Sequence, residues 1–599
     1  MYLKYMRFLR TLWCCKKFGR IALVAAAAAM VGACTALAPR ETSDEAGFAP
    51  GPDRPAVTAQ RRMVASAHPL ASRVGLDILR RGGGAIDAAV AMAAVLTLVE
   101  PQSSGIGGGG FLMHFDGRTG EIAAYEGREA APAATREIDF LEADGTVMAR
   151  ERYRVGGISV AVPGALRMLE LAQARHGRLS WAGLWAPAIR LARVGFLVSP
   201  RLHRSIAGDR YLAGNAAARA YFFDAEGSPL ATGALRRNPA LAETLAAIAE
   251  DGADAFYRGS VARDIAAAVA ADPRAGKMTA SDLAGYRVRE RARLCRPYRV
   301  WLVCGFGPPT AGGITTLMML AMLERFDMAA LAPNSPEAVH LFAEAARLAN
   351  ADRLRYVADP DFVEVPSTGL LDGDYLARRA ALIRAGRALA EVAPGTPPGT
   401  ERRTLLHGSS DDREQPSTTH LSVIDAEGNA VALTASVGGA FGSRIMVRGF
   451  MLNNHATDFS AVPRTAGGRP KVNRPEAGKR PRSAQSPTFV FDGSGRLVLA
   501  LGSPGGPRII AHVVKTILGV LDWKLDVQAA IALPNRAVRG DVVELEAETP
   551  LADVADALRA MGHEVRLRPM TSGLQGIAVS EGVLTGGADP RREGIAMGD

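Results

Sequence analysis

Cysteine is scarce in this chain: there are five in 599 residues, and Cys14, Cys15 and Cys34 all precede position 35. Only Cys295 and Cys304 remain for the body of the protein, which excludes a disulfide-rich scaffold. These two flank a short turn around Arg296 and Pro297, and a cross-strand bridge and two separate thiols both fit. The apolar stretch 21–33 (IALVAAAAAMVGA) is too short to cross a bilayer comfortably. A strong charge bias is missing too. The formal charge is +10, but six of the 71 Lys and Arg residues lie in the first twenty positions with no acidic residue among them, and removing them leaves about +4. That is small for this length, so charge gives no reason to expect nucleic acid as a partner. What the chain does have is 48% apolar composition over a length of two to four domain-sized units, enough for a large core.

Lys4, Arg7, Arg10, Lys16, Lys17 and Arg20 precede the apolar stretch, so residues 1–33 read as a secretory signal. Its end, Val31, Gly32, Ala33, Cys34, resembles a bacterial lipoprotein site, where lipid on Cys34 would anchor the protein. The expectation is an exported, periplasmic lipoprotein; the alternatives are an ordinary cleaved signal, giving a soluble periplasmic or secreted protein, and an unprocessed anchor. Residues 34–60, rich in Pro, Gly and charge, read as a flexible tether, with the fold starting near Arg61.

Two Ala- and Leu-rich helical patterns follow at 69–81 and 85–98, separated by Gly82, Gly83 and Gly84. Alternation over 111–125 predicts a strand pair. Residues 105–110 (GIGGGG) match the dinucleotide pattern G-x-G-x-x-G, but strand-like sequence follows where a phosphate cradle needs a helix N-terminus. Close backbone packing is the better reading. Ser335 and Pro336 form an N-cap and first-turn pair for a helix running to about Val357, in which His340 is read as structural. Residues 391–417 have the composition of a long exposed loop.

At Thr418 the pattern changes. The segment TTHLSVIDAEGNAVALTASV alternates on both sides of a turn, predicting a hairpin with strands at 420–424 and 430–437. A cut before Thr418 would place a hydroxyl and a free α-amine on one residue. That amine, with an unperturbed pKa of about 7.7 to 8.0, can act as base for its own hydroxyl, with no metal or cofactor. A strand-start threonine is ordinarily structural, so context has to carry the reading.

Downstream stand Leu452, Asn453, Asn454, Asp458 and Phe459, then Lys479, Arg480, Pro481, Arg482 and Ser483, then Gly502, Ser503, Pro504, Gly505 and Gly506. Upstream stand MVASAHPLAS (63–72), GGGAIDAAVA (82–91), EPQSSGIGGGGF (100–111), GREAAPAAT (127–135), PPTAGG (308–313) and EAARLANADR (344–353). This collinear series resembles the γ-glutamyltransferases, N-terminal-nucleophile hydrolases, over nearly the whole chain after residue 60. The element pattern alone supports mixed α/β; the resemblance implies a four-layer αββα sandwich built from two subunits of one precursor.

It also implies self-cleavage between Ser417 and Thr418, giving a large subunit (61–417) and a small catalytic subunit (418–599) that stay associated as a heterodimer. Thr418 would then attack the γ-carbonyl of glutathione-like peptides and pass the glutamyl group to water or to an acceptor amino acid or peptide. Gly505 and Gly506 match the oxyanion-binding pair, and Ser436 the second hydroxyl beside the nucleophile. Arg128 matches the group that holds the substrate α-carboxylate, and Asp458 the partner of its α-ammonium. Three positions depart from the family: Gly438 replaces an asparagine, Ala484 follows Ser483 where a second serine is usual, and His455 stands near a usual Gln or Glu. Losing two hydrogen-bond partners, at about 0.5–1.5 kcal/mol each, would weaken substrate binding roughly tenfold or more. These departures keep open a cephalosporin-acylase or poly-γ-glutamate-processing specificity; a silent, uncut surface lipoprotein is the third reading. Residues 460–478 contain no aromatic side chain, so no tyrosine lid is placed there.

Overall fold

The structure, a computed structural model, describes residues 54–400, 407–410 and 417–599. The signal segment, Cys34, most of the tether and twelve residues of the loop before Thr418 lie outside the described residues.

Fourteen strands form two seven-stranded sheets. In chain order they are β1 (Val57–Ala59), β2 (Met63–Ser66), β3 (Gly109–Phe115), β4 (Ile122–Gly127), β5 (Arg289–Glu290), β6 (Arg293–Tyr298) and β7 (Trp301–Phe306), then β8 (Thr419–Ile424), β9 (Ala430–Ser436), β10 (Thr488–Phe491), β11 (Leu497–Gly502), β12 (Gln575–Ser580), β13 (Val583–Ala588) and β14 (Ile595–Gly598). The first sheet runs β14-β2-β8-β9-β3-β4-β5, the second β1-β13-β12-β11-β10-β7-β6. Strand alternation sends Phe111, Met113 and Phe115 of β3 between the sheets, against Phe306, Phe489 and Phe491. Phe111 meets Phe306 edge-on with centroids 4.9 Å apart. Leu112 points the other way, into a helical layer.

That layer includes α1 (Pro69–Arg80), α2 (Ala85–Val99), α3 (Ala165–His176) and α4 (Trp181–Val194). Fourteen of the fifteen residues of α2 are buried, as expected of a helix apolar on every side and wrapped by neighbours. The opposite layer packs α5 (Gly312–Leu323), α6 (Pro336–Tyr356), α7 (Ile509–Leu521) and α8 (Val527–Ala532) over the second sheet. The result is the four-layer αββα sandwich.

Both helical patterns near the N-terminus and both hairpin strands after Thr418 form within a residue or two of their predicted bounds. Ser335 caps α6 as read, its hydroxyl accepting from Ala338 N at 3.2 Å. His340 is structural: its ring bonds His563 Nε2 at 2.8 Å and the Arg384 carbonyl at 2.7 Å. The GIGGGG run packs backbone against backbone, since a Cβ on Gly108 would lie 2.1 Å from the Ser436 carbonyl oxygen.

Three expectations need correction. Folded structure begins before Arg61, because β1 pairs with β13 (Val57↔Gly586) at the edge of the second sheet; the Pro- and Gly-rich composition that marked the tether masks a three-residue edge strand. Arg296 and Pro297 lie inside β6, and the turn falls at Arg299–Val300; Cys295 and Cys304 are therefore directly opposite and joined by a disulfide. The loop before Thr418 is not exposed throughout, because Ser410 and Ser417 are buried and Gly408 N donates to the Pro470 carbonyl at 2.8 Å.

Candidate active site

Strand register places the nucleophile candidate. Thr419 pairs with Ala435 across β8 and β9, which sets Thr418 opposite Ser436 at the end of the ladder. Alternation sends His420 and Ser422, which share a face with Thr418, between the sheets, where Ser422 Oγ donates to the Ala500 carbonyl at 3.3 Å. Burial pulls the His420 imidazole down to about 3, so this face carries no charged histidine at neutral pH.

At the ladder end the Ser417 carbonyl is held by two hydroxyls. Thr418 Oγ1 and Ser436 Oγ each lie 2.6 Å from its oxygen, and 3.2 Å from one another. Gly438 N donates to Ser436 Oγ at 2.9 Å, which leaves the Ser436 proton for the carbonyl. Ser417 is pinned in turn, its hydroxyl donating to the Gln102 carbonyl at 2.5 Å. A peptide carbonyl gripped by the hydroxyl of the next residue and by a second hydroxyl is polarised for intramolecular attack. Gly505 and Gly506 turn the chain from β11 into α7 with φ of +137° and +60°, conformations that favour glycine. Among the described residues, no hydrogen bond joins this turn to Thr418.

The second cluster is ionic. Arg128, fully buried, donates through Nη2 to Asp458 Oδ2 at 2.6 Å and through Nε to the Pro481 carbonyl at 3.0 Å. Its Nη1 lies 3.2 Å from Glu129 Oε2. His455 Nδ1 sits 2.7 Å from Glu129 Oε1, and its Nε2 lies 3.9 Å from Asp458 Oδ2. Burial works to raise the Glu129 carboxyl, yet His455 and Arg128 beside it hold it below the usual range. Arg128, Asp458 and His455, predicted from scattered motifs, are thus brought together.

The remaining predicted residues divide. Gly438 links the two clusters: Gly439 N donates to Asn454 Oδ1 at 2.9 Å, and a Cβ on Gly438 would lie 1.9 Å from that oxygen. The space a side chain at 438 would need is filled by Asn454. Ser483 Oγ accepts from Gln485 N at 3.1 Å. Ala484 packs into the apolar layer over the second sheet and offers no polar group.

Sequence reasoning missed Glu129, Asn454, Gln102 and Arg592, whose Nη1 donates to the Thr418 carbonyl at 3.0 Å. Glu129 and Asn454 adjoin predicted residues and Gln102 lies within the motif at 100–111, which is the signal that would have found them; Arg592 carries no local signal.

The family described as gamma-glutamyltranspeptidase matches residues 71–599. The chain belongs to the γ-glutamyltranspeptidase family. Among curated relatives it is 36% identical over 545 residues to the glutathione hydrolase proenzyme of Bacillus subtilis (strain 168), covering 90% of this chain and 91% of that one. It is 37% identical over 552 residues to the acylase ACY 1 proenzyme of Pseudomonas sp. (strain SE83), covering 90% and 94%. Among solved structures, the cephalosporin acylase from Bacillus halodurans superposes with a TM-score of 0.79 at 29% identity, covering 91% and 97%. Within the γ-glutamyltranspeptidase family the chain is thus similar both to glutathione hydrolases and to acylases.

Proposed function

We propose that this protein cuts its own Ser417–Thr418 bond and then uses Thr418 to transfer γ-glutamyl groups from glutathione-like amides to water or to amine acceptors. The observation that carries this reading is the Ser417 carbonyl oxygen held at 2.6 Å by both Thr418 Oγ1 and Ser436 Oγ. Attack of Thr418 Oγ1 on that carbonyl moves the Ser417 acyl group from nitrogen to oxygen, the hydroxyl proton passing to the departing nitrogen to free the α-amine, and water then hydrolyses the ester to release the Ser417 carboxylate and the Thr418 hydroxyl. In turnover Oγ1 attacks the substrate γ-carbonyl while the α-amine takes its proton. The C–N bond breaks, the departing amine receives the proton, and water or an acceptor amine resolves the new ester. Gly505 and Gly506 supply backbone N–H donors to the oxyanion.

Residues 57–417 and 418–599 remain together as a heterodimer, because β8 and β9 are hydrogen-bonded between β2 and β3 in one sheet. Arg128 takes the α-carboxylate and Asp458 the α-ammonium. A glutamyl zwitterion exchanges their mutual 2.6 Å ion pair for two new ones, whereas a desamino acyl group engages only Arg128. The second reading, an acylase for such desamino groups, draws on Gly438 and Ala484, which provide no side-chain hydrogen bond.

Comparing kcat/KM for γ-glutamyl-, glutaryl- and poly-γ-glutamyl substrates tests specificity, with a preference for free γ-glutamyl amides expected; faster glutaryl turnover would favour the second reading. A glutamyl ester on the 418–599 fragment, seen by mass during turnover and absent from a Thr418→Ala chain, tests the mechanism. Export by residues 1–33 and lipidation of Cys34 belong to the same proposal. A Cys34→Ala chain is expected to leave the membrane fraction, and unchanged fractionation would remove the anchor.

A further inference from the structure

The carbonyl of Thr418 is held by a cation from the far end of the chain. Arg592 lies in the turn between β13 and β14, its own N–H donating to the Asp589 carbonyl at 3.1 Å, and its Nη1 reaches the Thr418 carbonyl at 3.0 Å. The side chain is 6% exposed and forms no ion pair among the described residues. The passage it takes is fitted to it: a Cβ on Gly573 would lie 2.6 Å from Arg592 Cδ and 2.7 Å from Pro504 Cγ. Arg592 therefore runs close to the start of the Gly505–Gly506 turn as well as to Thr418.

We propose that Arg592 is a positioning residue for the nucleophile: it fixes the Thr418 carbonyl and holds positive charge beside the freed α-amino group, keeping that group in its neutral, proton-accepting form. The inference rests on the reading of Thr418 as nucleophile. Backbone geometry puts the guanidinium nitrogen no more than about 7 Å from the Thr418 nitrogen. A like charge at that range in a dry interior disfavours the ammonium form and lowers its pKa. The sign matters because an unperturbed α-amine, near 7.7 to 8.0, is mostly protonated at neutral pH and is then no base.

Other charged groups on this side are largely spent on one another. Glu100 takes Arg201 Nη1 through both oxygens at 2.6 Å. Arg201 N donates to Glu593 Oε1 at 2.6 Å, and burial raises the Glu593 carboxyl, favouring its neutral form. Asp589 accepts from Gly573 N at 2.6 Å and from Arg591 Nη1 at 3.2 Å. Burial keeps His420 beneath Thr418 and His512 on α7 neutral. Across the site, Arg128 faces Asp458 and Glu129 faces His455. Of these cations, Arg592 is the one without an ion-pair partner at contact distance among the described residues, and Glu100 and Asp589 act on its charge only from farther away. Burial, with Arg201 nearby, pulls its own pKa to about 9, which still leaves it protonated at neutral pH.

The test compares wild type, Arg592→Gln and Arg592→Lys, each first checked by mass for division at 417/418. The readout is the pH dependence of kcat/KM on γ-glutamyl-p-nitroanilide. The acid limb of the Gln variant is expected about one pH unit above wild type, with the Lys variant near wild type. A Gln variant whose acid limb coincides with wild type overturns the inference, however much its plateau falls, because a packing role alone does not move a titration. Should the Gln variant fail to fold, Arg201→Gln decides: it turns the Glu100 charge toward the same space and raises the limb, and an unmoved limb refutes the proposal. A wild-type chain that never divides defeats the Thr418 reading itself, and this inference with it.

Discussion

At the start of β8 the reactive groups are set by strand register, whereas around Arg128 they are set by side chains arriving from segments hundreds of residues apart. Thr418 faces Ser436 because a two-residue periodicity leaves it nowhere else to point. Arg128 meets Asp458, 330 positions further along the chain, only because the segments between them fold around both. A site placed by backbone pairing tolerates drift in neighbouring side chains. A site built from an ionic network changes its preferences with each replacement, and of the three departures from the family pattern His455 lies in that network, whereas Gly438 bonds Ser436 and Ala484 packs into the apolar layer.

Replacing Arg128 by Gln should separate the two regions most sharply. It removes the guanidinium from beside two buried carboxylates and takes away the proposed α-carboxylate partner, so kcat/KM for γ-glutamyl substrates should fall about a hundredfold or more. Division at Ser417–Thr418 should still go to completion by mass; an uncut chain would mean that the regions are not separable. Ser436→Ala probes the opposite side. Loss of one hydroxyl donor to the Ser417 carbonyl should slow self-cleavage about a hundredfold, measured by the disappearance of intact chain, with KM of the divided fraction little changed.

Gly438→Asn restores the family residue but not its surroundings. With φ at +103° and Asn454 Oδ1 filling the space, it should lower stability by about 1–3 kcal/mol, read as a fall in Tm, rather than improve substrate binding. A gain in affinity without loss of stability would show that Asn454 yields easily.

The smallest effect lies outside the Arg128 network. Burial pulls His420 and His512 down to about 3, while in the unfolded chain they take up protons near 6.5. Their contribution is therefore complete above about pH 6.5 and is lost progressively as pH falls toward 3. Urea midpoints should drop between pH 7 and pH 5, and a His420→Asn chain should drop less.

The same contrast explains what the sequence revealed. Alternation and capping residues located α1, α2, α6, β8 and β9, because those signals are local. β1 escaped because three residues at a sheet edge, in a Pro-rich stretch, are too few to show a period. The Cys295–Cys304 pairing stayed open because the turn was placed three residues early, at Arg296 and Pro297, a proline that the edge strand β6 accommodates. In the candidate site, the motifs named the residues that the structure brings together in pairs, Thr418 with Ser436 and Arg128 with Asp458. Asn454 was overlooked although it lies within one of those motifs, because its role is to fill the space beside Gly438. Arg592 was invisible because its partner is 174 residues away.

The central claim is that Thr418 cuts the bond before it. Masses recorded after denaturation of the chain expressed from about residue 35, beside a Thr418→Ala variant, test it most directly. The account predicts two fragments meeting at Ser417 and Thr418 in the native sequence and one intact chain in the variant. An intact native chain after folding, or fragments that persist in the variant, would contradict it.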